Sequence, residues 1–422
     1  MPTDIDQHRK NSASEPAAGN SGPARDSERV QELDVLRGVA LFGVFLVNML
    51  GFASDGLMAT EQQLLSLQTA AFDAVAWNLT EWLVVDKANT LFAFLFGLGF
   101  YLQMQRLESR GADFNRIYLR RLMVLLGFGI LHTMFLWSWD ILNTYAIAGF
   151  ALFALRDAKS RVLLWGGALL ALFSLTLYGT LAEFTGLNDW HGLESPFSEE
   201  SVLARQQASL AGDYWELFSL FASYTLIDYL LNGLIIGWVF YALGRFMIGA
   251  WVGRRGWFQD AQAFLPGFRR VLRVTLPIGL IGEGLAGMLR YYASSDRLAD
   301  GQHWELLVEA LHMLAVPILT TGYICAVVVG LNSVCARRLL SYFGCAGKMA
   351  LTNYVAQSFF YGFVLFGVWP GLALAGQIGS VALIAIVSIA YAAQIAASRW
   401  WLEYFSYGPL EWLWRRLTYG RW

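Results

Sequence analysis

The sequence predicts an all-α, polytopic membrane bundle of about ten transmembrane helices with both termini in the cytoplasm, and three observations predict it. Hydrophobic residues make up 56% of the 422 positions and charged residues only 15%, far from the balance of a soluble globular chain. Apolar runs of roughly 20 residues, the length that crosses a hydrocarbon core of about 30 Å, recur along the chain. Basic residues gather at alternate junctions between these runs: of 30, all but Lys87, Arg205, Arg290 and Arg297 fall before the first run or after an even-numbered one.

Taken in order, residues 1–33 are rich in Ser, Pro, Gly and charge, lack an apolar signal core and read as a disordered cytoplasmic tail. A transmembrane domain follows over 34–404, with spans at 37–53, 88–105, 118–137, 140–156, 162–182, 216–249, 274–291, 306–331, 347–369 and 373–398. The sixth is longer than one crossing needs and holds Asp228, Asn232 and Gly233, so it is expected to begin at the interface or to be broken. Outer segments are assigned to 54–87, whose FDAVAWNLTEWLVVD lies along the surface as an amphipathic helix, and to the acidic 183–215, read as a lid or a solvated loop. Residues 405–422, with interleaved Trp and Arg after a Gly-Pro break and a Glu411/Arg415 pair, read as a cytoplasmic interfacial helix.

Cys325, Cys335 and Cys345 show no metal-ligand spacing, so no disulfide and no metal are expected. The formal charge of −2 carries no nucleic-acid signature, and membrane lipids are the partners implied. The oligomeric state is open, a homo-oligomer included.

Ionisable groups at membrane depth are costly and therefore functional candidates. Counting from Arg37 and from Arg121 at 1.5 Å per residue puts Asn48 and His132 each about 16 Å deep, near the midplane. The run GILHTMFLWSWDILNTYAIAG must turn at Trp137-Ser138-Trp139-Asp140, which sets Asp140 at the outer surface as a helix cap and points His132 into a hairpin with Asn143, Thr144 and Tyr145. His132 reads either as a packing histidine or as a neutral imidazole that a carboxylate orients to take a proton. In KMALTNYVAQSFFYG, helical spacing lines up Lys348 with Thr352 and Asn353 with Gln357 and Tyr361, either as interhelical glue or as the wall of a substrate cavity. Asp34 and Arg37 are spaced to pair at the cytoplasmic mouth. His191, His303 and His312 read as bland.

The stretches LDVLRGVALFGVFLVN, FLFGLGF, LHTMFLWSWDILNTYAIAG, GKMALTNYVAQS and GPLEWLWRRLTYG, in this order, resemble the YeiB family of bacterial inner-membrane proteins. The first-span pattern, with Arg37, Gly38 and Asn48, is also similar to the heparan-α-glucosaminide N-acetyltransferase-like group, which moves acetyl groups from cytoplasmic acetyl-CoA across a membrane. That resemblance implies a transmembrane acyltransferase. Arg37, Arg120, Arg121 and Lys348 would meet the phosphates of an acyl-CoA, acetyl-CoA first among candidates, and Asn48 would steady the oxyanion. The group's own histidine lies after the first span, where residues 51–90 hold none, so His132 with Asp140 is assigned the base, beside a cavity of Asn143, Asn353, Gln357 and Tyr361. The acceptor would be a hydroxyl or amine, on a glycan or lipid-linked molecule, from outside. A transporter or exporter using the same residues, or a non-enzymatic lipid-binding scaffold, are the alternatives.

Overall fold

The computed structural model describes residues 30–54, 57–136, 140–186, 197–294, 301–368 and 371–420. Most of the expected tail, the Trp137-Ser138-Trp139 corner and His191 lie outside the described residues, as do the side chains of His303 and Asp228.

Every regular element among the described residues is helical. In chain order these are α1 (Gln31–Phe52), α2 (Glu61–Leu65), α3 (Ala70–Leu83), α4 (Lys87–Ser109), α5 (Phe114–Phe135), α6 (Ile141–Ala154), α7 (Ser160–Thr185) and α8 (Glu199–Leu210). They continue as α9 (Tyr214–Tyr224), α10 (Leu234–Arg254), α11 (Leu265–Ser294), α12 (Gly301–Gly330), α13 (Val334–Lys348), α14 (Ala350–Leu365), α15 (Ser380–Tyr404) and α16 (Pro409–Tyr419). This is an all-α polytopic bundle.

Each of the ten expected spans contains a helix, though not all are full-length crossings. Seven segments are long and apolar enough to cross a membrane: α1, the run Ala70–Ser109, α5, α10, α11, α12 and α15. The two halves of α7, bent by 67°, make an eighth if they count as one crossing. At 14 and 16 residues, α6 and α14 reach only about 21 and 24 Å at 1.5 Å per residue, less than a hydrocarbon core of about 30 Å. The long sixth run is broken, as its composition suggests. After α9 comes a π-helical stretch, Thr225–Leu231, and Gly233 at φ 70° turns the chain into α10. Arg245, assigned by charge counting to a basic loop, instead sits buried inside α10.

Small residues let the backbones close up. A side chain at Gly97 would strike the Phe246 carbonyl and one at Gly249 the Phe94 carbonyl, so α4 and α10 touch backbone to backbone at two places. Gly38 rests on the Phe343 carbonyl and Gly347 on the Asp34 carbonyl, which joins α1 to α13 in the same way. Around α1 the core is dense, with Val35, Leu36, Leu41, Phe45 and Met49 fully buried.

The two outer segments are docked. α3 exposes Phe72 and Val75, while its buried Asp73 accepts from Val381 N at 2.8 Å and its Trp82 donates to Leu280 O at 2.9 Å; it thus bridges the starts of α15 and the middle of α11. From α8, Arg205 Nε donates to Leu57 O and Gln206 to Met58 O, both at 2.8 Å. Ser209 Oγ accepts from Gly367 N at 2.8 Å just past α14, and Tyr214 of α9 donates to Phe135 O at 2.6 Å at the end of α5. The described part of 183–215 is therefore a tied layer over that end of the bundle.

The C-terminal helix is tied into the bundle. Instead of pairing with Arg415, the Glu411 carboxylate accepts from Leu351 N at 2.6 Å, Thr352 N at 3.1 Å and Thr352 Oγ1 at 2.5 Å, capping α14, while Trp414 donates to Arg121 O at 3.0 Å. The helix is a structural brace between α5 and α14.

Candidate active site

Asp113 opens α5 by accepting from Arg116 N, and the helix carries His132 into its last turn. The chain then turns, and Asp140 opens α6: its Oδ2 accepts from Leu142 N at 3.0 Å and Asn143 N at 3.1 Å. The capping expectation holds, but the surface placement does not. Asp140 is 1% exposed, held between the first turn of α6, the Tyr354 hydroxyl and His132.

Asp140 lies against His132 of α5. Nδ1 of His132 stands 3.0 Å from Asp140 Oδ1, an ion-pair distance; the approach lies off the N–H axis, so the contact is not a linear hydrogen bond. On its other side, His132 Nε2 is 2.8 Å from Ser358 Oγ of α14. One turn earlier on α14, the Tyr354 hydroxyl donates to Asp140 Oδ1 at 3.1 Å, and the Tyr354 and His132 rings lie 5.3 Å apart. All four side chains are buried. A carboxylate facing Nδ1 favours the tautomer with the proton there, leaving Nε2 as the acceptor for the Ser358 hydroxyl. The result is a serine, a histidine and an aspartate in a row, 2.8 Å and 3.0 Å apart, in the order nucleophile, base and orienting acid.

Tyr354 also belongs to a cavity of about 740 Å³ that opens at the end of the bundle where the basic loops gather. Exposed Gln105, Ser109 and Lys348 stand at its mouth, and Leu125, Ile141, Leu142 and Tyr145 line its depth. Its lining holds five cations, Arg37, Arg106, Arg121, Lys348 and Arg415, against Asp34 and Glu411. Asp34 pairs with Arg37 at 2.9 Å, as the spacing predicted, and Glu411 binds α14, so five cations against two acids leave the lining with a formal excess of three positive charges. Arg121 lies over the Trp414 ring at 3.8 Å, and the Arg106 Nε is buried without a hydrogen-bond partner.

The sequence-derived set is thus partly assembled. Arg37, Arg121 and Lys348 share the cavity, but Arg120 is exposed on the other side of α5 and does not line it. Adjacent residues on a helix point about 100° apart, so only one of Arg120 and Arg121 can face inward. Asn143 lies beside the site: its Nδ2 donates to Thr133 Oγ1 at 3.0 Å, and its Oδ1 accepts from Thr144 at 3.2 Å. Thr144 in turn bonds the Tyr229 hydroxyl. Asn48 neighbours Tyr361 of α14, whose hydroxyl donates to Phe45 O at 3.4 Å. Gln357 donates to Gln394 at 3.0 Å, and Asn353 to Ser398 at 2.9 Å. Asn353, Gln357 and Tyr361 therefore tie α14 to α15 and α1, and none of the three lines the cavity. Ser358, Tyr354, Arg106 and Arg415 were not read from the sequence as site residues; the spacing of Tyr354 and Ser358 by one turn was the available signal.

A second ionisable cluster, also unforeseen, lies across α4, α11 and α12. Lys87 Nζ is 2.6 Å from Glu283 Oε2, with side-chain exposures of 1% and 3%. His312, read as bland, bridges Glu283 Oε2 at 3.2 Å and Asp86 Oδ2 at 3.1 Å. Asp86 itself holds φ 63°, a left-handed backbone uncommon outside glycine.

Residues 252–421 match the family model described as a protein of unknown function, DUF418. Over 95% of the chain and 96% of the relative, the sequence is 29% identical to the uncharacterized protein YxaH of Bacillus subtilis (strain 168). It is 31% identical to the uncharacterized protein YeiB of Escherichia coli (strain K12), over 93% of the chain and 96% of that protein. With that identity running almost end to end through the helices that build the site, this chain belongs to the YeiB family.

Proposed function

We propose that this protein is a transmembrane acyltransferase of the bacterial inner membrane, which moves an acyl group from cytoplasmic acyl-CoA to a hydroxyl or amine acceptor on the opposite side. One observation carries the reading: the strongly basic cavity and the His132–Asp140 pair share Tyr354, whose hydroxyl holds the Asp140 carboxylate. Arg37, Arg106, Arg121, Lys348 and Arg415 suit the phosphates of a CoA, since cations around a partly enclosed mouth bind phosphate more strongly than exposed ones do. The apolar depth suits the slender pantetheine arm, and the volume lies within the usual range of about 300–1,000 Å³ for a ligand pocket. His132 supplies the base, and Asp140 holds its tautomer and balances the imidazolium. Acetyl-CoA is the donor to try first, and a glycan or lipid-linked hydroxyl is the acceptor class.

The test is purified protein with acetyl-CoA. Release of free thiol and thermal stabilisation by CoA are expected; no effect of CoA at millimolar concentration overturns the reading.

A transporter is the second reading, favoured by the buried Lys87–Glu283–His312–Asp86 cluster, which is the kind of intramembrane ionisable group that proton-coupled carriers use. Uptake of a solute into proteoliposomes without chemical change would support it.

A further inference from the structure

We propose that Ser358 is a covalent acyl carrier: the acyl group rests on its Oγ as an ester between donor and acceptor. The proposal rests on the acyl-CoA reading for its donor, but the nucleophile can be tested without it. His132 Nε2, the nitrogen free to take a proton, already faces Ser358 Oγ at 2.8 Å, so the first proton within its reach is the serine's. The imidazole is set by Asp140, and Asp140 is itself fixed by two backbone N–H groups and the Tyr354 hydroxyl. A serine whose only task is to tie α5 to α14 needs no such chain behind its partner. Ser358 lies one helical turn, about 6 Å, along α14 from Tyr354 in the cavity wall, the distance by which the end of a pantetheine arm would have to pass that wall to bring a thioester to it.

The arrangement also meets a difficulty of topology. The cavity opens at the basic end, while α8 and α9 are bonded over the opposite end through Ser209 and Tyr214. Direct transfer would need both ends open together. An ester on Ser358 lets the two substrates come in turn.

In the first step the Ser358 Oγ proton passes to His132 Nε2 as Oγ attacks the thioester carbonyl carbon. The C–S bond breaks, and the proton moves from His132 to the leaving thiolate, giving CoA thiol and the Ser358 ester. In the second, His132 takes a proton from the acceptor hydroxyl or amine, which attacks the ester carbonyl. The C–Oγ bond breaks, and the proton returns to Ser358.

The experiment uses the full chain in detergent, with two probes read by mass spectrometry: acetyl-CoA and a fluorophosphonate. Expected are one acetyl group on the peptide containing Ser358, and fluorophosphonate labelling of the same residue, both lost in Ser358→Ala and reduced at least tenfold in His132→Ala. Ser358→Cys, which keeps the shape of the site, should trap the acetyl group as a thioester. If CoA stabilises the protein but neither probe marks Ser358, and Ser358→Ala still releases thiol at the wild-type rate, the carrier is overturned while the acyltransferase stands. If fluorophosphonate marks Ser358 but CoA has no effect, the nucleophile stands and the CoA donor falls.

Discussion

The Tyr354 hydroxyl donates to Asp140 Oδ1 at 3.1 Å while the rest of its side chain forms part of the cavity wall. Whatever occupies the cavity is therefore felt by the carboxylate that orients His132. Tyr354→Phe keeps the ring and removes the donor. We expect thiol release from acetyl-CoA to fall roughly tenfold, the effect of one lost hydrogen bond to a charged group at about 1.5 kcal/mol, with the fold retained. A rate unchanged within twofold would separate the cavity from the His132 pair.

Asp140→Asn separates the two roles of Asp140. An asparagine still caps α6, so melting should shift little, but it cannot balance a protonated imidazole. Turnover should fall by about 10²-fold or more, the scale of losing a general base, and His132→Ala should fall as far. If thermal stability collapses and turnover per folded molecule is unchanged, Asp140 is a cap alone.

Arg121 and Arg120 make an internally controlled pair. Only Arg121 lines the cavity, so Arg121→Ala should weaken CoA binding about tenfold and Arg120→Ala should leave it unaltered. Calorimetric titration at two salt concentrations is the measurement, and the wild-type affinity should drop as salt screens the rim over a Debye length of about 8–10 Å. Equal effects of the two variants would place the phosphates elsewhere.

Lys87 and Glu283 are both nearly inaccessible, so Lys87→Met takes the nearer cation from a buried carboxylate and leaves it to His312. A loss of about 3–5 kcal/mol is expected, largely recovered by Lys87→Met with Glu283→Leu, because removing both charges removes the cost of burying them. Unfolding in detergent with increasing denaturant reports both. Equal losses in the single and double variants would show that His312 and Asp86, rather than the charge balance, hold this region.

Burial raises the Glu411 carboxyl above the ordinary glutamate value of 4.5, against the lowering effect of its hydrogen bonds to Thr352 and Leu351. An acid raised on folding binds its proton more tightly in the folded state, so its contribution is fully present below pH 4.5 and lost as pH rises through the folded value. The melting temperature should therefore fall as pH rises from the acid side through the region just above 4.5, and the slope should flatten in Glu411→Gln. A parallel slope in the variant would assign the effect to another group.

Local relations were legible in the sequence and distant ones were not. Asp34 and Arg37 sit one turn apart on one helix, and His132 and Asp140 flank one corner, so chain proximity alone brought each pair together. The break before α10 was announced by Asn232 and Gly233. Lys87 and Glu283 stand 196 residues apart, and Ser358 is 226 residues from His132, so nothing short of the packed bundle could pair them. Arg120 was misplaced because a basic cluster gives depth but not the rotation of its helix. The same limit applies to Asn48, whose depth was legible but not the neighbour, Tyr361, that it faces.

The reciprocal seating of Gly97 on Phe246 and Gly249 on Phe94 gives the cavity one unyielding side. Two helices in backbone contact at two levels leave no compressible side chains between them, so α4 and α10 behave as a single plank. The opposite side is built differently: α14 begins after a break at Met349 and is held at its base by the Glu411 clasp. The two sides thus differ in how they are held, one by backbone packed on backbone and the other by a single carboxylate.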